Sequence, residues 1–136
     1  MKWVLSSKIQ KATVVQAEPD YVGSITIDQD LMERVGFWAG ERVMVVSATT
    51  GTRLETYVIT GTRGGGDICM NGPAALLIKE GEKVTIMGFT LSDKPVEAKN
   101  IVVDSKNRFV RYIHESERQK LELHPSEIPA VVSNAT

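Results

Sequence analysis

The dipeptide Gly23-Ser24 is the place in this chain where adjacent residue types could remake the backbone itself. A serine hydroxyl can attack the carbonyl carbon of the preceding residue when the backbone is held in a strained turn. Glycine on the carbonyl side removes the Cβ that would obstruct the attack and tolerates unusual backbone angles. Gly-Ser is also a common turn dipeptide, and taken alone it reads as loop punctuation. The remaining candidates are a scattered polar set: Lys8, Arg53, Thr56, Tyr57 and Asn71. Singly, each has a plain reading. Lys8 is a solvated strand end, Arg53 a strand-edge charge, Tyr57 a barrel-face aromatic and Asn71 a turn former.

Other chemistries find little support. The sequence holds no zinc-type Cys/His cluster, no HExxH and no GxSxG. His114 and His124 lie late in the chain among charged residues and read as solvated. Cys69, the single cysteine, cannot form an internal disulfide, and its neighbours Ile68 and Met70 point to a buried, inert thiol. Gly64-Gly65-Gly66 lacks the lysine and the strand-loop-helix setting of a phosphate loop.

The elements that must position the candidates are short strands. Trp3–Leu5 and Lys8–Ala17 read as two strands, followed by a turn at Glu18-Pro19-Asp20 and a strand from Ser24 to Ile27. Asp28 has the character of a helix cap, and the helix runs through Leu31, Met32 and Val35 to a stop at Gly36. Arg42–Ser47 and Arg53–Thr60 are strands joined across Thr49–Thr52. Alternation puts Arg53, Glu55, Tyr57 and Ile59 on one face of the second, and Leu54, Thr56, Val58 and Thr60 on the other.

Ile68–Met70 is a strand closed by a tight turn over Asn71–Ala75, with a positive φ at Gly72. Lys83–Phe89 is a further strand, and Asn100–Asp104 with Arg108–Tyr112 forms a last hairpin. A Gly-Glu pair precedes both the Arg42 and the Lys83 strand. Glu115–Leu123 is charged and helical in character, and the segment from His124 to Thr136 is polar and loosely ordered. Close-spaced strands, glycine turns and one or two short helices describe a mainly β chain folded as a small β-barrel.

With 136 residues, the chain has room for one domain with a real core. Its hydrophobic content of 42% and charged content of 24% suit a globular protein, and a net charge of −1 gives no electrostatic case for nucleic acid or an anionic membrane. The apolar stretches are too short for a membrane span or a signal peptide, which implies a cytoplasmic protein.

Taken together, the polar residues form a recognisable constellation. Ser7-Lys8-Ile9, Tyr21-Val22-Gly23-Ser24 with Ile27-Asp28, Thr50-Gly51-Thr52-Arg53 with Thr56-Tyr57, and Asn71-Gly72 with Ala74-Ala75 resemble the aspartate 1-decarboxylase family. Those enzymes are pyruvoyl-dependent and make β-alanine for pantothenate. The resemblance implies a six-stranded double-psi β-barrel over residues 1–114, usually assembled as a homotetramer with sites between subunits. It implies a precursor in which the Ser24 hydroxyl attacks the Gly23 carbonyl. The resulting ester is lost by β-elimination, and the dehydroalanine that remains hydrolyses to a pyruvoyl group and ammonia. The products are a β chain of residues 1–23 and an α chain of residues 24–136. Some members need a maturation factor. Neither a metal nor pyridoxal phosphate is expected.

The same resemblance assigns roles. Ser24 supplies the carbonyl that takes the substrate amine as a Schiff base, and Thr56 assists processing. Tyr57 is the proton donor and Arg53 grips a substrate carboxylate. Lys8 adds a second cation, Asn71 orients the pyruvoyl end, and Gly72, Pro73 and Ala74 line the substrate. Two positions depart from the family. Gln10 stands where it usually has histidine, and Pro73, which lacks an N–H, stands where it commonly has alanine. Gln10 keeps open a related decarboxylase acting on another amino acid such as glutamate. A non-enzymatic small-barrel binding module, with Gly23-Ser24 a mere turn, is the reading from a different class.

Overall fold

A computed structural model describes residues 1–114. The polar segment 115–136, including the helical expectation for Glu115–Leu123 and the residue His124, lies outside the described residues. The strands are β1 (Lys2–Thr13), β2 (Gln16–Glu18), β3 (Ser24–Asp28), β4 (Arg42–Ser47), β5 (Arg53–Gly61), β6 (Ile68–Asn71), β7 (Lys83–Ser92), β8 (Lys99–Val103) and β9 (Phe109–Tyr112). Helix α1 covers Gln29–Val35, and a 3-10 turn covers Gly72–Leu76.

The nine strands form one sheet in the order β2-β6-β3-β5-β4-β7-β1-β8-β9. Only Val14 and Val15 separate β1 from β2, so the two ends of the series from β2 to β1 are a single pass of the chain. The Val15 amide donates to the Ile68 carbonyl at 2.9 Å across that junction, and the sheet closes on itself as a small barrel. The strand count differs from the six expected because that pass is interrupted at Val14-Val15 and because β8 and β9 extend the sheet beyond β1. Three parallel pairs, β1 with β8, β2 with β6 and β3 with β5, are set among antiparallel ones.

Inward-facing side chains close the centre. Ile9, Ile25, Ile27, Ile68, Met70 and Ile86 are fully buried. Each such side chain stabilises the fold by about 1.5–3 kcal/mol relative to exposure. The sequence reading splits the first strand in two, whereas β1 is continuous from Lys2 to Thr13. It passes Ser6 and the Gln10-Lys11 pair by register shifts against β7, with Lys11 at φ 64°. The expected tight turn after β6 is instead a 3-10 turn, although Gly72 does adopt a positive φ of 75°. Pro73 near its start is suited to that geometry, since its fixed φ and missing N–H cost nothing there.

Helix α1 follows its sequence signals. The Asp28 carboxylate accepts from the Asp30 amide at 2.9 Å, Gly36 ends the helix at φ 82°, and Leu31, Met32 and Val35 are buried. Asp28 also ties the helix to the glycine loop, where its oxygens accept from the Gly64 and Gly66 amides, each at 2.9 Å. Among the described residues no helix is long and apolar enough to cross a membrane.

The two Gly-Glu turns are built alike. Gly40 and Gly81 have φ of 84° and 90°. Glu41 accepts from the Trp38 amide at 2.9 Å and Glu82 from the Lys79 amide at 2.8 Å, each reaching back three residues. Glu82 is the more buried, and it also accepts from the Ser47 hydroxyl at 2.6 Å. That bond, followed by the one from the Lys79 amide, holds its carboxyl below the usual glutamate range. A lowered folded pKa adds stability that is complete above the unfolded value and is lost as pH falls through the folded one. Ser47→Ala should therefore flatten the acid limb of the stability–pH curve below about pH 4.5 and leave its neutral-pH shape unchanged. Denaturant titrations across that range measure this directly.

Candidate active site

Ser24 opens β3 and is fully buried. Ile25 faces the core, so Ser24 and Thr26 face outward on the same strand. β6 lies antiparallel beside it with Asn71 directly opposite Ser24. The Asn71 side-chain amide donates to the Ser24 Oγ and to the Thr26 Oγ1, each at 2.9 Å. The Ser24 hydroxyl in turn donates to the Val22 carbonyl at 3.1 Å. Both Asn71 N–H bonds are thus committed, and the Ser24 oxygen is held by one donor and one acceptor.

The backbone around Gly23 is shaped from the other side. A Cβ built on Gly72 would lie 2.5 Å from the Gly23 Cα and 2.7 Å from the Gly23 nitrogen, which no side chain could tolerate. The absence of that Cβ lets the start of the 3-10 turn lie against the backbone of Gly23 on its N-terminal side. The sequence reading gave Gly23 the unusual backbone conformation. Gly23 is not at positive φ, and a Cβ there would meet only the Pro73 ring, at 3.7 Å. The steric demand falls on Gly72.

β3 and β5 run parallel with Ile25 beside Val58, so one step back along this register Ser24 comes alongside Tyr57. Tyr57 lies on the outward face of β5 and is 38% exposed, which leaves its phenol accessible beside a buried hydroxyl. Thr56 faces the opposite way with Leu54 and Val58. No register shift interrupts β5 against β3 or β4 to re-aim it, and among the described residues its hydroxyl makes no hydrogen bond. Arg53 shares the Tyr57 face but lies four residues away, about 13 Å along the strand. Glu55 stands between them, paired to Arg42.

Lys8 is further off. In register it faces Met87 on β7, which faces Met44 on β4, which faces Glu55 on β5. Three strand spacings, about 14 Å, therefore separate Lys8 from β5. Ala74 is half-buried, and its carbonyl accepts from the Leu77 and Ile78 amides, each at 3.0 Å. The structure thus gathers Gly23, Ser24, Asn71, Gly72 and Pro73, with Tyr57 alongside, and sets Lys8 and Arg53 on a separate stretch of the outer face. Thr26 escaped the sequence reading, although its position two residues after Ser24 on a strand was the signal for it. Cys69 is buried and its thiol is pushed up by burial, in line with an inert residue. His114 is exposed beside Glu97 at 3.5 Å.

The aspartate decarboxylase family model matches residues 1–110. This chain belongs to the aspartate decarboxylase family. It is 53% identical over 115 residues to aspartate 1-decarboxylase of Corynebacterium efficiens, covering 81% of this chain and 84% of that one. It is 46% identical over 121 residues to the enzyme of that name from Caldicellulosiruptor saccharolyticus, covering 86% and 94%. The aspartate 1-decarboxylase of Bacillus subtilis is 46% identical over 109 residues, covering 77% and 86%.

Gly72→Ala tests the contact at the centre of this decarboxylase family site. It should destabilise the fold by roughly 2–4 kcal/mol, because alanine is strained at positive φ and its Cβ would strike Gly23. Chemical denaturation measures this, and unchanged stability would mean that the two backbones do not need to touch.

Proposed function

We propose that this chain is a pyruvoyl-dependent aspartate 1-decarboxylase, a carbon–carbon lyase that converts L-aspartate to β-alanine and CO₂ for pantothenate synthesis in the cytoplasm. The observation that carries the reading is the Ser24 hydroxyl, buried beside a glycine carbonyl and held between Asn71 and Val22. Membership in the decarboxylase family supports it, and nothing favours a non-enzymatic barrel.

Maturation breaks the Gly23–Ser24 peptide. Ser24 Oγ bonds to the Gly23 carbonyl carbon and the C–N bond breaks, giving an ester and a free amine. β-Elimination releases Gly23 as a carboxylate. Water then replaces the nitrogen of the remaining dehydroalanine, releasing ammonia. The residues present suit the product. Asn71 offers an amide where the Ser24 side chain now lies, and Gly72 leaves the space that a Cβ would fill. A pyruvoyl group would supply an electrophilic carbonyl that binds the substrate amine and accepts the electron pair left at Cα when CO₂ departs.

The side chains do the rest. Tyr57 holds a phenol proton beside position 24 and returns it to the substrate Cα after CO₂ leaves. Arg53 grips a carboxylate through paired N–H bonds, and Lys8 adds a second cation. Asn71 orients the carbonyl end, and the Gly72, Pro73 and Ala74 backbone borders the substrate, with Pro73 offering no N–H. Thr56 assists the ester stage only if its hydroxyl is reached from the inner face of β5. Because Lys8 and Arg53 stand away from Ser24 within one chain, the working site is completed by a neighbouring copy, in keeping with a homotetramer.

Ser24→Ala should yield one uncut chain without activity. Intact mass under denaturing conditions reads the cut and the loss of ammonia, and a processed, active variant would overturn the assignment. Tyr57→Phe should still process but lose about 10²–10⁴-fold in kcat. Near-normal turnover would remove Tyr57 from proton transfer.

A further inference from the structure

A groove of about 910 Å³ lies over β1, β7, β8 and β9, with Thr85 among its lining residues. Among the described residues Lys11, Lys83, Asp104 and Arg111 are the charged groups that line it. Its floor contains two neutral polar side chains, Gln10 and Thr85. Gln10 is 4% exposed and its Nε2 donates to the Asn100 Oδ1 at 3.0 Å, which clamps the amide in place.

Thr85 is the less constrained of the two. Val84 and Ile86 face the core, so the Thr85 side chain faces outward, where it is half-buried. Among the described residues its hydroxyl makes no hydrogen bond. In register it stands beside Val46 on β4, and Val46 stands beside Arg53 on β5. On its other side the β1 register shift between Ile9 and Ala12 brings Gln10 and Lys11 opposite it. The Thr85 and Arg53 backbones are two strand spacings apart, about 10 Å, with only the small Val46 between them. A small carboxylate lying over Val46 can therefore meet the Arg53 guanidinium on one side and a free hydroxyl on the other.

We propose that Thr85 is a specificity-determining residue: its hydroxyl, opposite Arg53 across Val46, donates a hydrogen bond to the substrate's side-chain carboxylate. This rests on the decarboxylase reading, and it adds a contact made by a neutral side chain on β7. The substrate so held is presented to position 24 of a neighbouring copy.

The test compares wild type, Thr85→Val and Thr85→Ser as full-length, matured protein. Intact mass follows processing, initial rates give kcat and KM for aspartate, and calorimetry gives the Kd for succinate, a dicarboxylate without the amine. Thr85→Val keeps the shape and removes the donor. It should process normally, keep kcat within about twofold, and raise both KM and the succinate Kd roughly tenfold. Thr85→Ser restores the hydroxyl and should bring both back to within about threefold of wild type. Unchanged KM and Kd in Thr85→Val, with wild type active on aspartate, would overturn the Thr85 contact and leave the decarboxylase reading standing. Loss of processing in both variants would overturn it in favour of a structural role. A matured wild type with no aspartate turnover would overturn the parent reading and this one with it.

Discussion

The short strand β3 depends on the Asp28 carboxylate at its far end. One side chain there accepts three backbone N–H bonds, from Asp30, Gly64 and Gly66. It is buried, and removing it would leave the buried Gly66 amide without its acceptor. Through those bonds it starts α1, closes the glycine loop and sets where β3 stops. Asn107 extends the clamp. It is fully buried at φ 60°, and its side-chain amide donates to the Gly66 and Thr13 carbonyls while its oxygen accepts from the Thr13 amide. With the end of β3 fixed in this way, its start is fixed too, and Ser24 is at that start. The Gly64-Gly65-Gly66 loop thus wraps a carboxylate of its own chain with the same backbone donors that glycine-rich loops elsewhere offer to phosphate.

A second constraint is the doubled Gly-Glu turn. In each copy the glycine amide and the glutamate carbonyl bond one residue elsewhere in the barrel, Val58 on β5 in one case and Val14, between β1 and β2, in the other. Each then launches a strand, β4 or β7, and these two strands pair with each other. The likeness is in bonding rather than in burial. Glu41 is half-buried, whereas Glu82 is inside and bonded to Ser47. Paired turns of this kind hold the β4–β7 pair in register, and with it the outer face that carries Arg53 and Thr85.

Much of this was legible in the sequence, for local reasons. Alternation assigned the faces of β5 correctly from Arg53 to Val58, because one side of a barrel strand meets the core and the other does not, whereas Thr60 at the strand end is exposed. Asp28 and Gly36 marked the ends of α1 by capping chemistry that acts within one turn. The misses were non-local. Strand order depends on partners distant in sequence. The continuity of β1 was hidden by Ser6-Ser7, which looks like a break but is absorbed by a shift against β7. The steric role of Gly72 depended on Gly23 arriving beside it, which no spacing could reveal. The Asn71-Gly72-Pro73 run fitted either a tight turn or a 3-10 turn, and the buried Ala75 and Ile78 beyond it favour the one that continues inward.

The environment of Ser24 also separates two kinds of chemistry. Its hydroxyl is buried, and its hydrogen bonds go to a carbonyl and to one neutral side chain, Asn71, so among the described residues no charged base is bonded to it. A nucleophile held this way is aligned rather than activated. Alignment without activation gives a slow reaction, which is tolerable for an event that happens once in the life of a chain. Repeated turnover makes a different demand, because a proton must be delivered each cycle from a group that can recover it from solvent. Tyr57, half-exposed beside the same position, meets that demand and Ser24 does not. On the proposed reading the barrel therefore uses opposite degrees of burial at neighbouring positions for the two stages. A dry position makes the cofactor, and a wetter neighbour lets it be used again.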